Sequence, residues 1–160
     1  MKRFYIAIII ILLFIFVGYS YFITTPKTIN NVYKGIAYKL NDSKFSKNVI
    51  IKLDGQYNKK TKVFKGNLII NDKEYPQCTL SSATMWICYI ENKRYLMGTV
   101  FTNANLDQMS FEISNEQLYY DLTKEASVND KLIISVPSNN RLEAIKINNN
   151  LEQFGVIGKP

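Results

Sequence analysis

The chain has 160 residues, a net charge of +7, 47% hydrophobic and 21% charged residues, and no histidine. This composition describes one folded domain of ordinary size and excludes a disordered or low-complexity chain. The missing histidine removes the Ser-His-Asp and Cys-His hydrolases, the common zinc hydrolases and the usual general base near neutral pH.

The chain opens with a three-residue basic tail, 1–3, followed by an apolar run, 4–23, that carries no charge. Twenty residues at 1.5 Å each span the ~30 Å hydrocarbon core as a helix. The run predicts an uncleaved signal anchor, with the tail in the cytoplasm and everything after it outside. Tyr19, Tyr21 and Phe22 suit the far interface, and Pro26 ends the helix. A cleaved signal peptide, and so a secreted protein, is the alternative; Gly18-Tyr19-Ser20 is the nearest approach to a cleavage site and a poor one.

Residues 24–32 read as a linker. From 33 onward the hydrophobic pattern has period two. Strands are expected at 33–40, 48–57, 63–70, 74–80, 85–91, 94–101, 108–114 and 131–137, separated by Asn/Asp/Lys turns. Asn71-Asp72 forms a compact turn because both residues tolerate the left-handed conformation. Pro76 pushes its strand toward an edge or a bulge. Gly35, Gly55, Gly66 and Gly98 inside strands fit bulges or tight bends. The segment 115–127 reads as either a short helix or a strand. In 140–155, Asn140 and Glu143 have capping-box spacing, and Ala144, Ile147, Leu151 and Phe154 share a helical face that Gly155 would close. A strand through 142–147 competes with that helix.

The expected fold is therefore mainly β (α+β). A transmembrane helix leads into a small antiparallel β-barrel or β-sandwich of seven or eight strands at 33–155, with a C-terminal helix and a short tail, 156–160. A flat sheet this long would expose its edges, which favours closure or layering.

The two cysteines, Cys78 and Cys88, flank the only tryptophan, Trp86. If a hairpin turns at 82–84, then Leu80 faces Trp86, Thr79 faces Ile87, and Cys78 faces Cys88 at bridging distance. An oxidising compartment then permits a disulfide. Two cysteines supply neither a four-ligand zinc site nor a C-x-x-C redox motif, and Glu74 and Glu91 are merely near in sequence, so no metal or cofactor is expected.

The charge is uneven. Residues 27–73 hold eleven lysines against three aspartates, whereas 74–160 hold seven basic against ten acidic residues. Lys34, Lys39, Lys44, Lys47, Lys52, Lys59, Lys60, Lys62 and Lys65 form a candidate face for an anionic partner. The same lysines also read as solvated strand faces and turns. Nucleic acid is not expected, because this half has no arginine to make bidentate contacts. Tyr57, Tyr89, Tyr95 and Tyr119-Tyr120 are candidates for a ligand-stacking surface, or else ordinary packing of a β core.

The layout of basic tail, single apolar span and small β domain resembles that of many membrane-tethered envelope proteins of Gram-positive bacteria. It is a resemblance of plan alone and carries over no site residue. The expectation is a non-catalytic, membrane-anchored envelope protein whose β domain binds a protein partner or an anionic envelope polymer. The alternatives are a barrel that binds a small molecule or lipid, and a histidine-free enzyme using carboxylates or Lys.

Overall fold

The computed structural model describes residues 10–16, 18–20, 25–81, 83–125 and 130–157, the last of these with side chains only to residue 153. Eight strands follow one another around a closed antiparallel barrel: β1 (Lys27–Lys39), β2 (Ser46–Asn58), β3 (Val63–Ile70), β4 (Lys73–Ser81), β5 (Thr84–Ile90), β6 (Lys93–Thr102), β7 (Met109–Ile113) and β8 (Leu132–Val136). The ring closes where β1 pairs with β8, Ala37 opposite Ile134. The helix α1 (Glu116–Thr123) lies between β7 and β8, and α2 (Arg141–Ile157) follows β8.

Period-two alternation builds the interior. Ile51, Leu53, Phe64, Leu68, Leu80, Trp86, Val100, Phe111 and Ile134 all point inward and are fully buried. Trp86 meets Phe111 edge-on at 5.2 Å between ring centroids, a geometry worth about 1 kcal/mol beyond the area buried. The strand glycines are sites of close approach. Gly55 faces Gly66 across β2 and β3, where a Cβ on either would run into the other's Cα and a neighbouring carbonyl oxygen. Gly98 has φ +154° and packs against the Glu112 carbonyl.

Closure leaves Pro76 no edge to occupy. It falls instead at a bulge in the β3–β4 ladder between Gly66 and Leu68, where Gln77 takes a positive φ and its N–H donates to the Asn67 side chain. Asn71 and Asp72 both take positive φ, as their turn requires, and so do Glu91 and Asn92 between β5 and β6.

Both mouths of the barrel are covered. At the end where β1 finishes, α1 lies across the opening with Leu118, Tyr119 and Leu122 in the core. Asn115 caps it, its side chain accepting from the Leu118 N–H at 2.9 Å. The segment left open between helix and strand is thus a helix. At the end where β1 begins, the 103–108 loop folds inward on Leu106. The Tyr33 and Tyr57 hydroxyls hold it, donating to the carbonyls of Leu106 and Ala104 at 2.8 and 2.7 Å.

The second helix packs on the outer wall against β1, β8, β7 and β6. Ile36, Tyr38 and Ile133 are buried there with Ala144. The Asn140 side chain accepts from the Glu143 N–H at 2.9 Å, and the Glu143 carboxylate accepts from the Asn139 N–H at 2.8 Å, one residue earlier than the usual reciprocal cap. Asn148, an unfavourable residue in a helix interior, is buried and accepts from the Ser110 hydroxyl. The competing strand at 142–147 does not form. The helix also runs through Gly155 to Ile157, so Gly155 does not end it; the Phe154 side chain lies outside the described residues.

Two boundaries move. β1 starts at Lys27, so 27–32, read as linker, is strand paired with β2. Half of the predicted membrane span, 4–9, 17 and 21–23, lies outside the described residues. Residues 10–16 and 18–20 are helical, and their apolar side chains are exposed, Phe14 by 74%. Among the described residues no helix is long and apolar enough to cross a membrane.

Candidate interaction surface

The β2–β3 turn carries Lys59, Lys60 and Lys62, all exposed. Asn58 shapes it, its side-chain oxygen accepting from the N–H groups of Lys60 and Thr61 at 3.0 Å each, while Lys62 takes φ 55°. Lys27 stands opposite Tyr57 in the ladder, so it sits at the root of this turn. Among the described residues none of these four lysines has a carboxylate within ion-pair distance, and the acid at this end of the barrel is Asp107 in the 103–108 loop. The opposite end, by contrast, mixes charges: Asp42, Asp72, Glu91, Asp121, Glu125 and Asp130 sit among Lys39, Lys44, Lys47, Lys73, Lys93 and Lys131.

The nine lysines singled out in the sequence therefore do not form one face. Lys59, Lys60 and Lys62 sit at one end, and Lys39, Lys44 and Lys47 at the other. Lys34, Lys52 and Lys65 lie on the outer wall, opposite Ile50, Val32 and Gln56. Lys39 leaves any such surface altogether. Its side chain is only 3% exposed, its Nζ donates to Glu125 at 2.6 Å, and it lies over the rings of Phe45 and Tyr119. The Glu125 hydrogen bond, opposed by burial, raises its pKa. Lys47 donates to the Leu122 carbonyl at 3.2 Å and tethers α1. Sequence reading missed Lys27; counting back along the β1–β2 pairing from Gly55 would have placed it beside the turn.

Cys78 and Cys88 lie at disulfide distance, Sγ to Sγ 1.94 Å and Cα to Cα 4.0 Å. Thr79 pairs with Ile87, the register expected for the hairpin. β4 reaches Ser81, β5 starts at Thr84, and Ala83 takes φ 58°. The Trp86 indole N–H donates to Cys88 Sγ at 3.0 Å, so the sulfurs lie against the core.

The tyrosines do not gather into one stacking surface. Tyr57 and Tyr119 are buried in the interior, Tyr120 is exposed on α1, and Tyr89 and Tyr95 are exposed on β5 and β6. Burial raises the Tyr57 pKa. Two open depressions mark the surface. One of about 370 Å³ lies among Lys34, Gly35, Asn48 and Ser138, and one of about 250 Å³ lies among Tyr75, Lys73, Asp121 and Leu118 beside α1. In the second, Asp121 accepts from Lys73 at 2.6 Å and from Gln117 at 3.0 Å. Burial alone would raise the Asp121 pKa, but these two hydrogen bonds outweigh it and hold the carboxyl below its ordinary range. Among the described residues no group of three His, Cys, Asp or Glu is placed to hold a metal ion.

These features define a closed eight-stranded antiparallel barrel with one lysine-bearing end and one end of mixed charge. Comparison with protein-family models, with curated proteins and with solved structures finds no match to this chain.

Proposed function

We propose that this chain is a membrane-anchored cell-envelope protein that presents a closed β-barrel outside the cytoplasmic membrane as a binding module, with no catalysis of its own. The observation that carries the reading is the join between its parts. The charge-free run 4–23 stops three residues before β1 begins at Lys27. The anchor and the barrel are thus nearly continuous, and the barrel is held close to the bilayer.

The non-catalytic part of the reading rests on a sequence without histidine, and on charged groups that serve the fold. Lys39 with Glu125 and Lys73 with Asp121 tie α1 to the barrel. A packed interior of Trp86, Phe64, Phe111, Leu53 and Leu68, under two covered mouths, favours recognition on the outside over a ligand held within. The partner classes that fit are a protein or an anionic polymer of the envelope.

Alkaline carbonate extraction of membranes tests the anchor: the intact chain is expected in the pellet, and its release into the supernatant would overturn the reading. Protease added to wall-stripped cells tests the side, and a barrel that survives until the membrane is permeabilised would place it inside.

A further inference from the structure

We infer that the barrel end bearing Lys27, Lys59, Lys60 and Lys62 rests on the membrane surface and binds anionic phospholipid headgroups. This rests on the membrane-anchor reading above.

Register provides the geometry. Lys27 pairs with Tyr57 and Thr28 with Gln56. Continuing that antiparallel count, Asn58 lies level with Pro26 and Lys59 level with Thr25. The turn at 59–62 therefore projects past the start of β1, alongside the residues that lead back to the apolar run. Three residues, 24–26, reach about 11 Å at most when fully extended. The lysine turn is thus held within about one to one and a half Debye lengths of the bilayer at physiological salt.

Charge provides the specificity. Those four lysines are exposed, unpaired with carboxylates among the described residues, and accompanied at that end by Asp107. The far end, around α1 and the turns at 40–45, 71–72 and 91–92, instead mixes acids with lysines and carries no such excess of positive charge. A molecule polarised in this way, and tethered by its basic end, is oriented by an anionic surface and not merely attracted to it. Flexible ammonium groups on an exposed turn suit headgroup phosphates, which need point charges and no fixed fork. The tether makes the encounter intramolecular, so weak contacts suffice.

The test uses the full chain, reconstituted into vesicles of phosphatidylcholine and into vesicles of equal parts phosphatidylcholine and phosphatidylglycerol. A membrane-impermeant amine reagent is applied, and each lysine is read by mass spectrometry. Lys44 and Lys93, exposed at the far end, serve as internal references. Relative to them, Lys59, Lys60 and Lys62 should label about fivefold more slowly in the anionic vesicles, as expected for roughly one headgroup contact per lysine. The difference should vanish at high salt, and a matching slowing of Lys27, also exposed at that end, should be lost in the Lys59→Glu, Lys60→Glu, Lys62→Glu triple variant, whose changes fall on an exposed turn. Equal labelling in both vesicles, or equal slowing in both, from a chain that resists carbonate would overturn headgroup binding and leave the anchor standing. A chain that washes off both vesicles would overturn the anchor itself.

Discussion

Reducing the Cys78–Cys88 bond perturbs the barrel without changing a side-chain volume by more than a hydrogen atom. The bond spans a sequence separation of 10. Loop-closure entropy for a ring of that size amounts to about 2.7 kcal/mol at room temperature. The Trp86 N–H keeps a sulfur acceptor after reduction, so no buried donor is orphaned. With a urea slope of about 1.5 kcal/mol per M, the midpoint should fall by about 1.8 M on reduction. The assay is urea unfolding followed by fluorescence of the single, fully buried Trp86, with and without a phosphine reductant. A fall of under about 0.5 M would refute the reasoning, because it would mean that the hairpin's ends are already held together in the unfolded chain. The same bond tests location. Alkylation and mass mapping of protein taken directly from cells should find the pair oxidised, and two free thiols would contradict an oxidising compartment.

Arg141 donates to the carbonyls of Lys39, Phe45 and Asp42 at 2.6, 2.7 and 2.9 Å and lies over the Tyr38 ring. Arg141→Ala should cost about 3 kcal/mol by urea unfolding, allowing for water that reaches the loop carbonyls again. Arg141→Lys should recover less than about 1 kcal/mol, because an ammonium lacks the planar fork that serves three acceptors; a fully stable lysine variant would refute this role. Stability should also respond to pH at both extremes. The raised pKa of Lys39 stabilises the fold fully below 10.5, the ordinary value, and that contribution is lost as pH rises through the folded pKa. The lowered pKa of Asp121 stabilises the fold above 3.8 and is lost as pH falls through its folded pKa. Urea midpoints measured across pH should show a smaller acid loss in Asp121→Asn and a smaller alkaline loss in Lys39→Met, the rest of the alkaline loss coming from Lys131 and from buried tyrosines such as Tyr57, whose pKa values are also raised.

The strands were legible because a barrel wall is buried on one face, and alternation along Ile51–Leu53 or Phe111–Ile113 records that burial directly. The Thr79–Ile87 register followed from counting across one hairpin. What failed to show has physical causes. Asn30 and Asn31 have little strand propensity, and they are strand because β2 offers twelve partners to β1. α1 has eight residues, too few for periodicity to separate helix from strand; the open mouth beneath Leu118 and Leu122 decides it. Gly155 resembles a helix terminator, but local preference does not fix where a helix held to a wall by Ala144 and Leu151 must stop. For the lysines, composition gave their number and not their sides, so Lys39 counted as surface until its inward position beside Leu132 was known.

The ring of strands has one thin seam. β3 pairs with β4 and β5 with β6 over seven residue pairs each, whereas among the described residues β4 meets β5 in the ladder only at Thr79 and Ile87. The cysteine pair flanks that single rung on either strand. The cross-link therefore acts as the clasp of a closed belt. Opened there, the barrel would expose two bare strand edges, each a template for pairing with another strand.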